Sequence, residues 1–402
     1  MPPSLVRAIL GRFLNSSTIV IMRRKLFKLT LIQAFSTIVA CSALLQGYGS
    51  EVSTTSAASK PGFVTVSGTH FLRDGAVWVP HGINVVAFNA ALAVRTGLFG
   101  TAYKNFNPTE VAAMKAWGAD SLRFLVAQPA LDPQSSLYDP TFLTQLVAGV
   151  KSARAIGLSV IICMQDEAGT GETNPAVLPN DGTGRAWQAL APKFANDNGV
   201  MFELMNEPEL APSPANWTAW ADTMNNMMAI IRNAGAKNVL LADGLAYAEQ
   251  LKNAPILADP LAQVAYASHP YAHSATDQTP AGWDAKFGNV SVNSVAPVLV
   301  TEWSLENAPN LKPNGFQYCD SNSPTAALNL LNYLQGKGIG LMVLSYDLPN
   351  QPQVPRDGRA TINFNGTPST LANNVGCTDA TFGPGMIVQK WYRTGIVPSS
   401  LQ

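Results

Sequence analysis

The stretch VMFELMNEPEL, Val200 to Leu210, is apolar through Met201, Phe202 and Leu204 and turns polar at Asn206, Glu207 and Glu209. Its first half is near-continuously apolar, as a parallel strand covered on both faces is. Two readings of the polar end compete. Asn206 could cap a helix that Pro208 opens. Alternatively, Glu207 is a carboxylic acid presented at the C-terminal end of a strand. The rest of the chain decides between them.

Moving outward, the same pattern recurs. The other runs are HGINVVAF (from His81), SLRFLV (from Ser121), LSVIICM (from Leu158), NVLLADG (from Asn238), VAYASHPY (from Val264), PVLVTEW (from Pro297) and GLMVLSY (from Gly340), which makes eight in all. Helix-like stretches lie between runs. In NPTEVAAMKAWG, Asn107 is a natural cap and Pro108 a natural first residue. In Ser213 to Gly235, Trp217, Trp220, Met224, Met227, Met228 and Ile231 recur at spacings of three and four, as on a helix packed against a barrel. Eight such units predict an α/β fold, a (β/α)₈ TIM barrel. A doubly wound sheet would want a Gly-rich phosphate loop after its first strand, and VAFNAALAV after Val85 has none. Ahead of the barrel, FVTVSGTHFLRDGAVWVP (Phe63 to Pro80) alternates about Asp74-Gly75 and predicts a short N-terminal β-hairpin. TFGPGMIVQKWYRTG (Thr381 to Gly395) predicts the closing helix.

Composition narrows the class. The 402 residues are 47% hydrophobic, and 26 basic residues balance 26 acidic ones, so no basic face suits nucleic acid. Arg23, Arg24 and Lys25 precede the apolar run LTLIQAFSTIVA, Leu29 to Ala40, which is short for a membrane span. Residues 1–45 therefore read as a signal-peptide region, with Met22 as an alternative start and residues 1–21 as an upstream extension. Ile38-Val39-Ala40-Cys41 also has the form of a lipobox, which would make Cys41 a lipid anchor; otherwise Cys41 is a small residue of the leader. Residues 46–60 read as a flexible linker, and residues 61–402 as a single domain. The expected product is an exported monomer: secreted, periplasmic or lipid-anchored at the envelope. Cys163 reads as a reduced core residue, and Cys319 with Cys377 as a pair an exported protein could bridge. No metal-ligand spacing occurs, so neither metal nor cofactor is expected.

In a barrel of this kind the site forms where the strands finish. The run ends offer Asn84, Arg123, Gln165, Asn206 with Glu207, Asp243, His269 with Tyr271, Glu302 with Trp303, and Tyr346. Glu207 after the fourth strand and Glu302 on the seventh face each other across a barrel mouth. Two such carboxylates suit glycosidic bond cleavage, and in a retaining enzyme they stand about 5–5.5 Å apart. Arg123 and Tyr271 would keep Glu302 ionised, and Asn206 could donate to a sugar 2-hydroxyl.

These motifs carry a resemblance. SLRF (Ser121 to Phe124), LMNEP (Leu204 to Pro208), SHPY (Ser268 to Tyr271) and VTEW (Val300 to Trp303) are similar, in this order, to the motifs of glycoside hydrolase family 5, the cellulase-type retaining glycosidases. The resemblance covers about residues 62–395. It implies Glu207 as general acid/base, Glu302 as nucleophile, and Arg123, Asn206, His269 and Tyr271 as their supporting shell. Two positions depart. Gln165 stands where the family usually has His, and LMVLSYDLP lacks the usual Trp, with Tyr346 the best substitute. Trp303 is the favoured sugar platform. Trp187, Trp217 and Trp283 are further candidates, packing being the stronger reading for Trp217. Asp166 and Glu167, in DEAGTGE, could bind sugar hydroxyls, against a solvated loop. His81 reads as a structural hydrogen-bonder at the barrel bottom.

The function expected is a retaining β-glycoside hydrolase acting on a glucan or mannan, as polysaccharide or oligosaccharide. A transglycosylase would use the same residues, and a carbohydrate-binding protein on a degenerate barrel is the alternative from another class. Glu207, as the acid, is expected to need a raised pKa, giving a bell-shaped pH profile.

Overall fold

The computed structural model describes residues 62–271, 279–304, 323–345 and 384–399. Residues 1–61, Cys319, Tyr346 and Cys377 lie outside the described residues, and with them the leader, Cys41, the linker and the cysteine pair.

The chain opens with β1 (Val64–Ser67), β2 (His70–Arg73) and β3 (Ala76–Trp78), an antiparallel sheet in that order. The expected hairpin is thus one strand larger. Its β2–β3 turn is the Asp74-Gly75 pair, with φ of 52° and 83°. Asp74 also accepts the backbone N–H groups of Gly62 and Phe63, which ties the turn to the chain entering β1.

Eight parallel strands then close a barrel. They are β4 (His81–Val85), β5 (Ser121–Ala127), β6 (Ser159–Gln165), β7 (Val200–Glu203), β8 (Leu240–Asp243), β9 (Val264–Ser268), β10 (Val298–Trp303) and β11 (Gly340–Val343). Their circular order is β10-β11-β4-β5-β6-β7-β8-β9. Each falls within one of the eight apolar runs read from the sequence, apart from Ala127 and Gln165, each one residue past the end of its run.

The helices are α1 (Gly97–Asn105), α2 (Pro108–Trp117), α3 (Gln128–Leu131), α4 (Pro140–Ala155), α5 (Asp181–Leu190), α6 (Pro214–Asn233), α7 (Pro280–Trp283), α8 (Ser323–Lys337) and α9 (Pro384–Thr394). Asn107 caps α2 by accepting from Thr109 and Glu110 N–H, with Pro108 at the first position. Helix α6 buries the Trp217, Trp220, Met224, Met227, Met228 and Ile231 stripe, so Trp217 packs in the core. One β/α unit is incomplete. No helix forms between β8 and β9, a segment carrying Pro255 and Pro260, which lack the N–H a helix interior needs, and five residues with positive φ.

Period-two alternation sorts the barrel residues. Val160, Ile162, Val200, Phe202 and Leu240 join the core beneath the helices. Ile161, Met201, Leu241, Leu299 and Met342 face inward and pack on Val64, Val66 and Phe71 of the small sheet, which therefore plugs the strands' N-terminal end. Two residues further along, the same inward parity delivers Cys163, Glu203, Asp243 and Thr301. The interior changes from apolar to polar one layer above the plug.

Candidate active site

Arg123 lies at the centre of that polar layer, fully buried. Its Nε and Nη2 donate to both oxygens of Glu203, at 2.7 and 3.0 Å. Nη1 donates to Asn84 Oδ1 and to Glu302 Oε2, both at 2.8 Å. Nη2 also donates to Asn206 Oδ1 at 2.6 Å and lies 3.0 Å from Cys163 Sγ. A guanidinium is suited to this because its donors form a rigid, permanently charged fork. Asn84 is itself fixed by donating to the carbonyls of Thr301 and Met342.

Glu302 is held from two sides, by Arg123 on Oε2 and by the Tyr271 hydroxyl, which donates to Oε1 at 2.7 Å. Burial alone would raise its pKa. The charges of His269 and Arg123, with the hydrogen bonds from Tyr271 and Arg123, outweigh that and bring it below the ordinary value. A local irregularity aims the side chain: the β10–β11 register shifts between Val300 and Trp303. Thr301 faces inward to His269, the shift leaves Glu302 at the mouth, and Trp303 turns into the core at 2% exposure. The buried ring of Trp303 does not present the open face expected of a platform. Trp187 and Trp283 are likewise buried.

Glu207 sits in the loop after β7, at φ 49°, a left-handed conformation that costs an L-residue roughly 1–2 kcal/mol. Its N–H donates to Asp243 Oδ2 at 3.0 Å, and its Oε1 lies 2.8 Å from His269 Nδ1. The next helix begins only at Pro214, capped by Ser213, so the helix-cap reading of Asn206 is wrong. Neighbouring indoles brace these strand ends: Trp187 donates to the Leu204 carbonyl and Trp220 to that of Asp243. His269 Nε2 bonds Thr301 Oγ1 at 2.9 Å and lies 3.7 Å from Asp243 Oδ2.

Behind this layer, Asp243 and Glu203 divide one charge. Burial and the Glu203 charge push Asp243 well above a normal carboxylate, whereas Glu203 ends below the usual value because its ion pair with Arg123 outweighs its burial. Asp243 Oδ1 has no donor facing it among the described residues. A proton on Asp243, shared with Glu203, satisfies both groups.

Most of the expected residues therefore meet: Arg123, Asn206, Tyr271 and Glu302 are bonded together, and Glu207 with His269 joins them through Thr301 and Asn84. Gln165 is fully buried at its edge, with Nε2 3.3 Å from Cys163 Sγ. Directly after β11, Leu344 is buried, clustered with Val86, Ala102 and Leu125. Glu203 escaped the sequence reading, although a charge inside the apolar VMFELM was itself a signal. Cys163 is free and buried, as expected of a reduced core residue, yet it faces the arginine rather than apolar neighbours. Glu167 belongs here too: Asn206 Nδ2 donates to its Oε1. Two sets, Glu203/Asp243/His269 and Glu207/His269/Glu302, bring potential metal-ligand atoms within 4.8 Å of one another. They come from different strands, so no sequence spacing could show them.

The family model for cellulase (glycosyl hydrolase family 5) matches residues 88–347. The chain belongs to glycosyl hydrolase family 5. A manganese dependent endoglucanase, Eg5A of Phanerodontia chrysosporium, is 25% identical over 171 residues, 40% of this chain and 42% of that protein. The chain thus spans about two fifths of that relative's length. A β-glucanase of Saccharophagus degradans, solved with cellotetraose, has a TM-score of 0.60 at 19% identity, covering 77% of this chain and 90% of its own. The catalytic domain of Thermobifida fusca endoglucanase Cel5A has a TM-score of 0.57 at 17% identity, covering 83% and 98%. At such identities these two structures speak for the barrel fold. Among the described residues, no helix is long and apolar enough to cross a membrane.

Proposed function

We propose that this chain is a β-glycoside hydrolase that retains anomeric configuration, with Glu302 as nucleophile and Glu207 as general acid/base, on a β-linked glucan or mannan. One observation carries the reading: a carboxylate oxygen of Glu207 and one of Glu302 lie within 4.8 Å of each other. That is closer to the roughly 5–5.5 Å spacing of retaining enzymes than to the roughly 6.5–9.5 Å of inverting ones, which leave room for a water.

The roles follow from the contacts. Glu302, kept anionic by Arg123 and Tyr271, attacks the anomeric carbon. Glu207 protonates the leaving oxygen, and then, as a carboxylate, takes a proton from the water that hydrolyses the glycosyl-enzyme. Asn206 Oδ1 is spent on Arg123 and one N–H of Nδ2 on Glu167, which leaves the second N–H of Nδ2 as the donor toward the sugar's C2 hydroxyl. Such a contact strengthens as the oxocarbenium-like transition state forms. The relatives' endoglucanase and β-glucanase names make β-1,4-glucan the first substrate to try. Residues 61–402 form the working domain in this reading. The protein is an exported monomer, released after the leader or held by a lipid on Cys41.

The test is proton NMR of the first product formed from a soluble β-glucan or mannan oligosaccharide. A product that appears first as the β-anomer, and is absent with Glu302→Gln, is expected. A first-formed α-anomer would overturn the retaining assignment. Predominantly longer products would favour the transglycosylase. Glycan binding without turnover would favour the carbohydrate-binding reading.

A further inference from the structure

Three carboxyl groups converge on this mouth rather than two. Glu167 follows the end of β6 by two residues and meets Asn206 Nδ2, the amide whose other end Arg123 fixes. Among the described residues the Glu167 carboxyl has no other hydrogen bond and no cation in contact. Burial first, then the negative charges of Glu207 and Glu302, push its pKa up to about 8. Beside it, Gln165 is fully buried, and its Oε1 has no partner among the described residues. Gln165 Nε2 lies against Cys163 Sγ, itself 3.8 Å from Asn206 Oδ1, so the amide borders the same corner. Gln165 Oε1 is an unfilled acceptor, and the Glu167 carboxyl is another once it gives up its proton, so a ligand that fills both must bring donors. A hydroxyl brings one. An ammonium brings three, with a charge that offsets the carboxylates.

We propose that Glu167 reads the substituent at C2 of the sugar held between Glu207 and Glu302 and admits a 2-ammonium group there, making β-linked 2-amino-2-deoxyglucose chains substrates alongside neutral ones. This rests on the glycosidase reading above. On binding, the protonated Glu167 carboxyl gives its proton to buffer, and the resulting carboxylate pairs with the ammonium. The charges facing it are Glu207 from the loop after β7, Glu302 from β10 and Arg123 from β5, with Glu172 and Asp166 on its own loop and Glu203, Asp243 and His269 behind.

The experiment uses the processed chain and two pentamers, β-1,4-glucose and fully deacetylated β-1,4-glucosamine. Wild type is expected to cut both. In Glu167→Gln the ratio of kcat/KM, amino over neutral, should fall by about tenfold or more, the scale of losing one charge-assisted bond. Calorimetry of the amino pentamer with Glu302→Gln at pH 6.5, in two buffers of different ionisation heat, should show proton release that adding Glu167→Gln abolishes. An unchanged ratio, or a wild type that cuts only the neutral chain and binds no amino chain, overturns the proposal and leaves the glycosidase standing. If neither chain is cut, the glycosidase reading fails on these substrates. The calorimetry still decides: proton release dependent on Glu167 keeps the ammonium site, and its absence removes it.

Discussion

The two ends of the barrel both bury polar groups, but they satisfy them differently. At the N-terminal end the bonds run mostly to backbone. The Tyr392 hydroxyl lies 2.9 and 2.7 Å from the carbonyls of Gly82 and Leu341 and shares its one proton between them, and Arg73 donates to those of Asp120 and Gly157. Asp120 accepts from Trp78 Nε1, the His81 N–H and Ser121 Oγ. His81 stacks on Tyr392 at 4.7 Å, nearly parallel. At the mouth, side chains bond side chains, one guanidinium serves Glu203, Glu302, Asn84 and Asn206, and the acceptors of Gln165 and Asp166 stay unpaired among the described residues. The bottom also has unpaired atoms, His81 Nε2 and Ser159 Oγ, but no congested charge. A polar cluster that serves only the fold closes on itself. One that serves chemistry keeps like charges close and donors and acceptors open.

The largest test of that contrast exchanges one carboxyl at each end. Glu302→Gln and Glu207→Gln are each expected to lower kcat by about 10⁴-fold or more. Asp120→Ala should leave kcat within about twofold while destabilising the fold by about 1–3 kcal/mol in urea titration, the cost of stranding its buried donors. A comparable activity loss from Asp120→Ala would erase the distinction between the ends.

Next in size is Arg123→Met. It leaves Glu203 and Glu302 as uncompensated buried charges, so a loss of about 3–5 kcal/mol is expected together with loss of activity. Tyr271→Phe is milder. The hydroxyl bonds the ionised form of Glu302, so its removal raises that pKa and moves the acid limb of the kcat/KM profile to higher pH. An unmoved limb would mean that Tyr271 does not help to keep Glu302 ionised.

How much of this was legible depends on the kind of information each feature needs. The barrel was, because eight apolar runs and the α6 stripe are local patterns, and Asn107-Pro108 is a local cap signal. The meeting of Arg123, Asn206, Glu207, His269, Tyr271 and Glu302 was legible as strand ends, and the structure adds the bonds. The aim of Trp303 was not. It follows from the β10 register shift, a relation between two strands that no single run encodes. Glu203 was hidden because run-end reasoning looks at the last residue and not at inward parity below it. Glu167 was legible as a possible sugar-binding loop acid, but its contact with Asn206 was not, because it joins segments that follow different strands.

The smallest effects come from titration, and they oppose each other across the barrel. Burial holds the His81 imidazole down to about 4, below its ordinary 6.5. Between those values the unfolded chain binds the extra proton, so stability falls as pH drops through that window. Glu167 is raised from 4.5 to about 8, and here the folded chain keeps the proton. Its contribution therefore falls as pH rises from about 4.5 to 8. His81→Phe, which keeps a ring against Tyr392, should flatten the melting temperature only on the acid side. Glu167→Gln should raise it by about 3 °C at pH 8 and leave it unchanged at pH 4. Thermal melts at both pH values separate the two groups. An equal shift at both would mean that Glu167→Gln acts through packing, and that the open carboxyl at the mouth has no more tension in it than the closed cluster at the bottom.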